Sequence, residues 1–206
     1  MRRILISLLA LLCMASCGRR RNAPAQEAAA DSRPRVFLPA IAPSSLSPDE
    51  RRDYLRVHYW DRFDFSDTLF TVRADTLQMV EAYARYIALI SDRPTDGSPI
   101  DSLMRRASSS RKMLDYFSML AEQVLHDPNS PLRNDEFYIP VLQAQLRSPW
   151  YDEYERIAPQ YDLEMAMQNR LRHQANDFRY TLASGASGNL YGLHAEYVLL
   201  FINNPG

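Results

Sequence analysis

Met113-Leu114-Asp115-Tyr116-Phe117-Ser118-Met119-Leu120-Ala121-Glu122-Gln123-Val124-Leu125 is the stretch on which the fold reading turns. Met113, Leu114, Phe117, Leu120, Ala121, Val124 and Leu125 recur at the i, i+3, i+4, i+7 spacing of one helix face, so the segment predicts an amphipathic helix against a core. Asp127-Pro128-Asn129-Ser130-Pro131 then ends it, because two prolines and an Asn-Ser pair favour a turn. Beyond that turn, Asn134-Asp135-Glu136 starts a helix carrying Ile139, Leu142 and Leu146, kinked or restarted at Pro140. A last helix over Pro159 to Arg172 holds Tyr161, Met165 and Leu171. Upstream, Ser98-Pro99-Ile100-Asp101 opens a short helix. Leu77, Val80, Tyr83, Ala84, Ile87 and Ile90 form another stripe, with Asp75 as its cap. Ser47-Pro48-Asp49-Glu50 combines a hydroxyl cap, proline at the first helical position and acids at the positive dipole end. Tyr54, Leu55, His58 and Tyr59 follow along one face. The expected fold class is therefore mainly α, with five to six helices in a domain over 45–174 that is large enough for one core.

The composition agrees with that reading. The 206 residues are 46% hydrophobic and 24% charged, with a net charge of −1. Disordered, collagenous and polytopic membrane chains are excluded. A balanced charge argues against nucleic acid as a partner, since such proteins carry a basic face.

The N-terminus reads as a targeting segment. Met1-Arg2-Arg3 is basic, and Ile4 to Leu12 is apolar but too short for a bilayer, which needs about 20 residues. Met14-Ala15-Ser16-Cys17 resembles the bacterial lipobox, with Met14 in the usual leucine place. Residues 1–16 are thus the expected lipoprotein signal peptide, and Cys17 the expected lipidation site and membrane anchor. Residues 17–44, rich in Ala, Pro and Arg, are the expected tether. Gly18 stands where an aspartate would signal inner-membrane retention, so a periplasm-facing, outer-membrane location is expected. Cys13 and Cys17 are the two cysteines; every later residue lacks a thiol.

Sites with chemistry are harder to find. His58, His126, His173 and His194 have no partner at metal-ligand spacing. Asp61, Asp64 and Asp67 repeat every third residue without the glycine and glutamate of a calcium loop. No G-x-S-x-G, Walker A or dinucleotide fingerprint occurs. Gly185, Gly188 and Gly192 suit turns between short β-type runs better than a phosphate loop. No catalytic, cofactor-binding or metal residue is assigned, and no cofactor is expected.

From Ala175 the texture changes. Asp177-Phe178-Arg179-Tyr180-Thr181-Leu182 is β-like, Ser184-Gly185-Ala186-Ser187-Gly188 is a turn, and Asn189-Leu190-Tyr191 returns. Glu196-Tyr197-Val198-Leu199-Leu200-Phe201-Ile202 has the apolar character of a strand buried on both faces. With Ala175-Asn176-Asp177-Phe178, this region resembles the opening of a thioredoxin-like domain of the periplasmic thiol–disulfide type, with Asn176 in the usual proline place. Tyr59-Trp60-Asp61-Arg62-Phe63-Asp64-Phe65-Ser66-Asp67, the run His126 to Asn134, and Tyr138-Ile139-Pro140-Val141-Leu142 resemble an uncharacterised helical domain. That domain precedes thioredoxin-like domains in Gram-negative lipoproteins.

The resemblance implies that 175–206 is the start of a thioredoxin-like fold, a hairpin plus one buried-type strand, ending where Cys-x-x-Cys would begin. Three readings follow. The chain is a non-catalytic accessory module of a thiol–disulfide oxidoreductase, since such chemistry needs a thiolate. Alternatively its ending reflects a truncated gene or a recoded UGA codon. Or it is a stand-alone envelope adaptor that binds a protein partner or a second copy of itself.

Overall fold

The computed structural model describes residues 35–91, 97–168, 170 and 172–201. Seven α-helices occur among them: α1 (Pro48–His58), α2 (Phe70–Arg73), α3 (Thr76–Ser91), α4 (Ser98–Ala107), α5 (Arg111–Ala121), α6 (Asp135–Arg147) and α7 (Ile157–Gln168). A hairpin of β1 (Arg179–Thr181) and β2 (Ser187–Asn189) follows. The fold is mainly helical, as the sequence predicts. None of the described helices is long and apolar enough to cross a membrane.

Helix starts lie where the capping residues put them. Ser47 Oγ accepts from Glu50 N–H while the Glu50 carboxylate accepts from Ser47 N–H at 2.8 Å, a reciprocal capping box. Asp75 accepts from Gln78 N–H, Ser110 from Met113 N–H, and Asn134 from Phe137 N–H. The predicted stripe of α5 is wholly buried. Its last turn loosens into a π-turn over Glu122–His126, where Asp127 N–H reaches the Glu122 carbonyl, and Val124 and Leu125 both stay in the core.

At the centre of that core lies Trp60, 3% exposed. Phe37 stacks on it with ring centroids 4.7 Å apart, and Phe117, Tyr86 and Phe63 meet it edge-on at 5.3, 5.7 and 6.0 Å. Edge-to-face contacts of this kind add to plain burial.

Several expectations are corrected. Of the predicted α3 stripe, Tyr83, Ile87 and Ile90 are buried and Val80 and Ala84 pack against the core, but Leu77 is 70% exposed, and Met79, Ala82 and Tyr86 widen the buried face. Pro140 neither breaks nor restarts α6, which runs continuously through it. Proline there removes only the N–H that would reach Glu136, and Gly97 closes against that site. A Cβ on Gly97 would lie 3.0 Å from the Glu136 carbonyl oxygen and 3.1 Å from Pro140 Cγ, and Gly97 itself has φ +81°. In α7, Tyr161 and Met165 point to solvent, because only Pro159 of that helix is buried; Leu171 lies outside the described residues.

The expected tether ends earlier than residue 44. Arg35 bridges Ala74, Arg35 pairs with Asp67, and Phe37 exchanges hydrogen bonds with the Gln78 side chain at 3.2 and 2.7 Å. Phe37 is 4% exposed. Residues 35–37 thus belong to the domain, because one aromatic ring fills a slot in the core. Cys13, Cys17 and the signal segment lie outside the described residues.

The hairpin forms as predicted, with Arg179 opposite Asn189, Tyr180 opposite Gly188 and Thr181 opposite Ser187. The buried-type strand does not form. Tyr197 to Phe201 has no strand structure and is exposed, Leu199 at 94%. A strand buried on both faces needs hydrogen-bonded neighbours and cover, and β1 and β2 pair only with each other.

Candidate functional site

Two hollows mark the helical domain. The first, about 230 Å³, lies between the end of α1 and α4, lined by Arg56, Trp60, Tyr86, Ser102 and Arg106 among others. Arg106 donates to the Trp60 carbonyl at 3.0 Å and to Asp61 at 3.3 Å, and its guanidinium lies 4.5 Å from the Phe65 ring centroid. Arg56 donates to the Leu89 carbonyl and to Asp53. Both cations are fastened by structural contacts. Burial raises the pKa of Tyr86, as it does that of Tyr83, so neither supplies a phenolate near neutrality. Desolvation likewise pushes Tyr116 up to about 12.

The second hollow, about 340 Å³, borders the π-turn and is lined by Met119, Glu122, Gln123, His126, Asp127 and Pro128. His126 stacks on Tyr138 at 4.7 Å, and its Nδ1 is buried with no hydrogen-bond partner among the described residues. The turn below it is tightly tied: Asp127 accepts from Asn129 N–H at 2.7 Å, and Ser130 Oγ donates to the Val124 carbonyl. That geometry makes His126 part of a packed helix end. Among the described residues lining this hollow there is no Ser, Thr, Cys or Lys.

The three aspartates of the 61–67 segment are not brought together around a common point. Asp61 meets His58 Nδ1 at 2.6 Å and Arg106. Asp64 accepts from Ser66 Oγ and N–H at 2.6 and 2.9 Å, and the Ser66 hydroxyl, then its amide, holds the Asp64 pKa down. Asp67 accepts from Leu69 N–H and pairs with Arg35. Among the described residues no group of three or more His, Cys, Asp or Glu could hold a metal ion. His173 and His194 are exposed and distant in sequence from either hollow.

The C-terminal region is organised by Asp177. Its carboxylate accepts from Asn189 Nδ2 at 2.6 Å and from Tyr191 N–H at 3.1 Å, and the Asn189 bond leads in lowering its pKa. The Tyr180 ring fills the space over Gly188, where a Cβ would meet Tyr180 Oη at 2.6 Å. Gly185 turns the hairpin at φ +85°. Beyond it, Tyr197, Leu199 and Phe201 are 82% exposed or more. A contiguous apolar run in water marks a contact surface. Sequence reasoning missed a second such face. Tyr154 in the turn before α7, and Ile157, Tyr161 and Met165 along it, recur at i, i+3, i+7, i+11 and are all exposed. The spacing was legible, but periodicity alone cannot say whether a stripe meets the core or solvent.

Two comparisons with known proteins cover most of the chain. The model of a family described as a domain of unknown function, DUF5106, matches residues 16–169. A crystal structure of a thioredoxin-like protein from Bacteroides caccae is 42% identical to this chain and superposes with a TM-score of 0.72. The match covers 83% of this chain and 62% of that one, so the chain spans less than two thirds of its relative's length. No curated protein matches significantly.

Proposed function

This chain belongs to the DUF5106 family, and from that premise we propose that it serves as the helical accessory module of a thioredoxin-like protein. In this reading it is lipid-anchored through Cys17 after removal of residues 1–16. It faces the periplasm from the outer membrane and carries no thiol–disulfide activity of its own. The observation that carries the reading is the 42% identity to a thioredoxin-like protein in a chain whose cysteines are confined to positions 13 and 17. The helical core supplies a rigid body. The hairpin and the exposed run Tyr197 to Phe201 supply the start of a sheet that needs further strands for cover. Thiol–disulfide exchange requires a thiolate attacking a sulfur, and an acylated, thioether-linked Cys17 offers none. Thiol titration of the mature protein tests this reading: no reactive thiol per chain is expected, and one would sink it.

The exposed face of α7 favours a second reading, a stand-alone envelope adaptor that binds a protein partner or a second copy through Tyr154, Ile157 and Tyr161. Size-exclusion chromatography separates the two. A monomer that retains no envelope protein counts against the adaptor.

A further inference from the structure

We propose that the surface around the Arg35–Ala74 seam is a membrane-contact face that lies on a phospholipid bilayer; the proposal rests on the reading of Cys17 as a lipid anchor. The seam forms where the chain enters the domain. Arg35 N–H donates to the Arg73 carbonyl at 2.7 Å, and Asp75 N–H donates to the Arg35 carbonyl at 3.1 Å. Phe37 is locked to Gln78 and turned inward. In an extended segment the neighbours of an inward residue face outward, so Val36 and Leu38 are 56% and 63% exposed. On the other side of the seam, Leu69, Val72 and Leu77 are 53%, 75% and 70% exposed. The bonds of Arg35 and Phe37 to Arg73, Asp75 and Gln78 bring the segments that carry these aliphatic side chains together at one junction.

Three features select lipid as the occupant. The first is connection: the 18 steps from Cys17 to Arg35 reach at most about 65 Å even when fully extended. An acylated Cys17 would therefore tether the domain to the bilayer at this seam, the point through which the chain enters it. The second is composition. Protein hot spots favour Trp and Tyr and are poor in Leu and Val, whereas this face is Val and Leu throughout; the exposed aromatics Tyr154, Tyr161 and Tyr197 lie elsewhere. The third is chemistry. Exposed aliphatic side chains suit the headgroup–acyl boundary, which the Val and Leu side chains would enter, while Arg35 stays paired with Asp67.

The missing thiols make a direct test possible. The full chain is expressed in a Gram-negative host, recovered from membranes and reconstituted into phosphatidylethanolamine–phosphatidylglycerol vesicles containing doxyl-lipid. Val72→Cys, Leu77→Cys and Glu153→Cys each place one fluorophore, and mass spectrometry of the N-terminal peptide reports acylation at Cys17. Quenching of the labels at 72 and 77 by at least about twofold, with the label at 153 unaffected, is expected for side chains within 5–10 Å of the interface. Replacing Leu38 and Val36 by Glu should abolish that quenching while leaving acylation and helical content unchanged. Acylated protein whose labels at 72 and 77 are quenched no more than the one at 153 overturns the contact face and leaves the anchor standing. A chain without acylation overturns the anchor reading, and this proposal with it.

Discussion

Met113–Leu125 and Tyr197–Phe201 are similarly apolar in sequence, yet they meet opposite fates. In the first, Met113, Leu114, Phe117, Leu120, Ala121 and Leu125 are fully buried; in the second, every described residue is exposed. The difference is supply of partners. A helix satisfies its own backbone and needs only one packed face, which α3, α4 and α6 provide for α5. A central strand must find hydrogen bonds on two edges and cover on two faces before its side chains leave water. Hydrophobicity alone therefore predicts burial for a helix more safely than for a strand.

The contrast can be broken by mutation. The largest effect is expected from Phe117→Ala, which removes a fully buried ring within 5.3 Å of Trp60, Phe63 and Phe65. A loss of about 3–5 kcal/mol is expected in chemical denaturation. Phe201→Ala, at an 82% exposed ring, should change stability by less than about 0.5 kcal/mol. Equal losses at the two positions would show that the C-terminal run is covered in solution.

Gly97→Ala comes next. It puts a Cβ into a left-handed position 3.0 Å from the Glu136 carbonyl oxygen, and a loss of at least about 1–2 kcal/mol is expected by thermal melting. An unchanged Tm would mean that α4 does not close on α6 at Pro140. Ser110→Ala removes the cap of α5 and should cost about 1 kcal/mol, read as a lower urea midpoint at constant m-value.

The smallest effect concerns the hairpin. The folded Asp177 carboxyl has its pKa depressed, chiefly by Asn189, so its contribution is present above the unfolded carboxyl pKa and is lost as pH falls through the lower, folded one. NMR titration should show the Asn189 and Tyr191 amide signals moving together in that acid range while α5 signals stay fixed. Simultaneous loss of both sets would mean that the two regions unfold as one unit.

Much of the helical domain was legible because its signals are local. Ser47, Asp75 and Asn134 cap helices through bonds to residues three positions on, which a reader of the chain can see. The α5 stripe, the turn at Asp127–Pro131 and the hairpin at Gly185 are local in the same sense. The outward turn of Leu77, the slot for Phe37, the continuity of α6 through Pro140 and the outward stripe of α7 were not. Each depends on a residue far away in sequence: Gln78 for Phe37, Gly97 for Pro140, α6 for α7. No spacing rule could have found the two hollows, since their walls come from separate helices.

The sequence by itself determined the helix starts at Ser47, Asp75, Ser98 and Asn134, the stop at Asp127–Pro131 and the class of the fold, because caps, prolines and apolar spacing act within a few residues of one another. It also places cysteine only at positions 13 and 17 of the 206 residues. Only the tertiary structure decided which apolar residues are core and which are surface. Leu77, Tyr161 and Leu199 are as apolar as Leu114, but burial is a property of the opposing face, and that face is brought up by another part of the chain or left open to water.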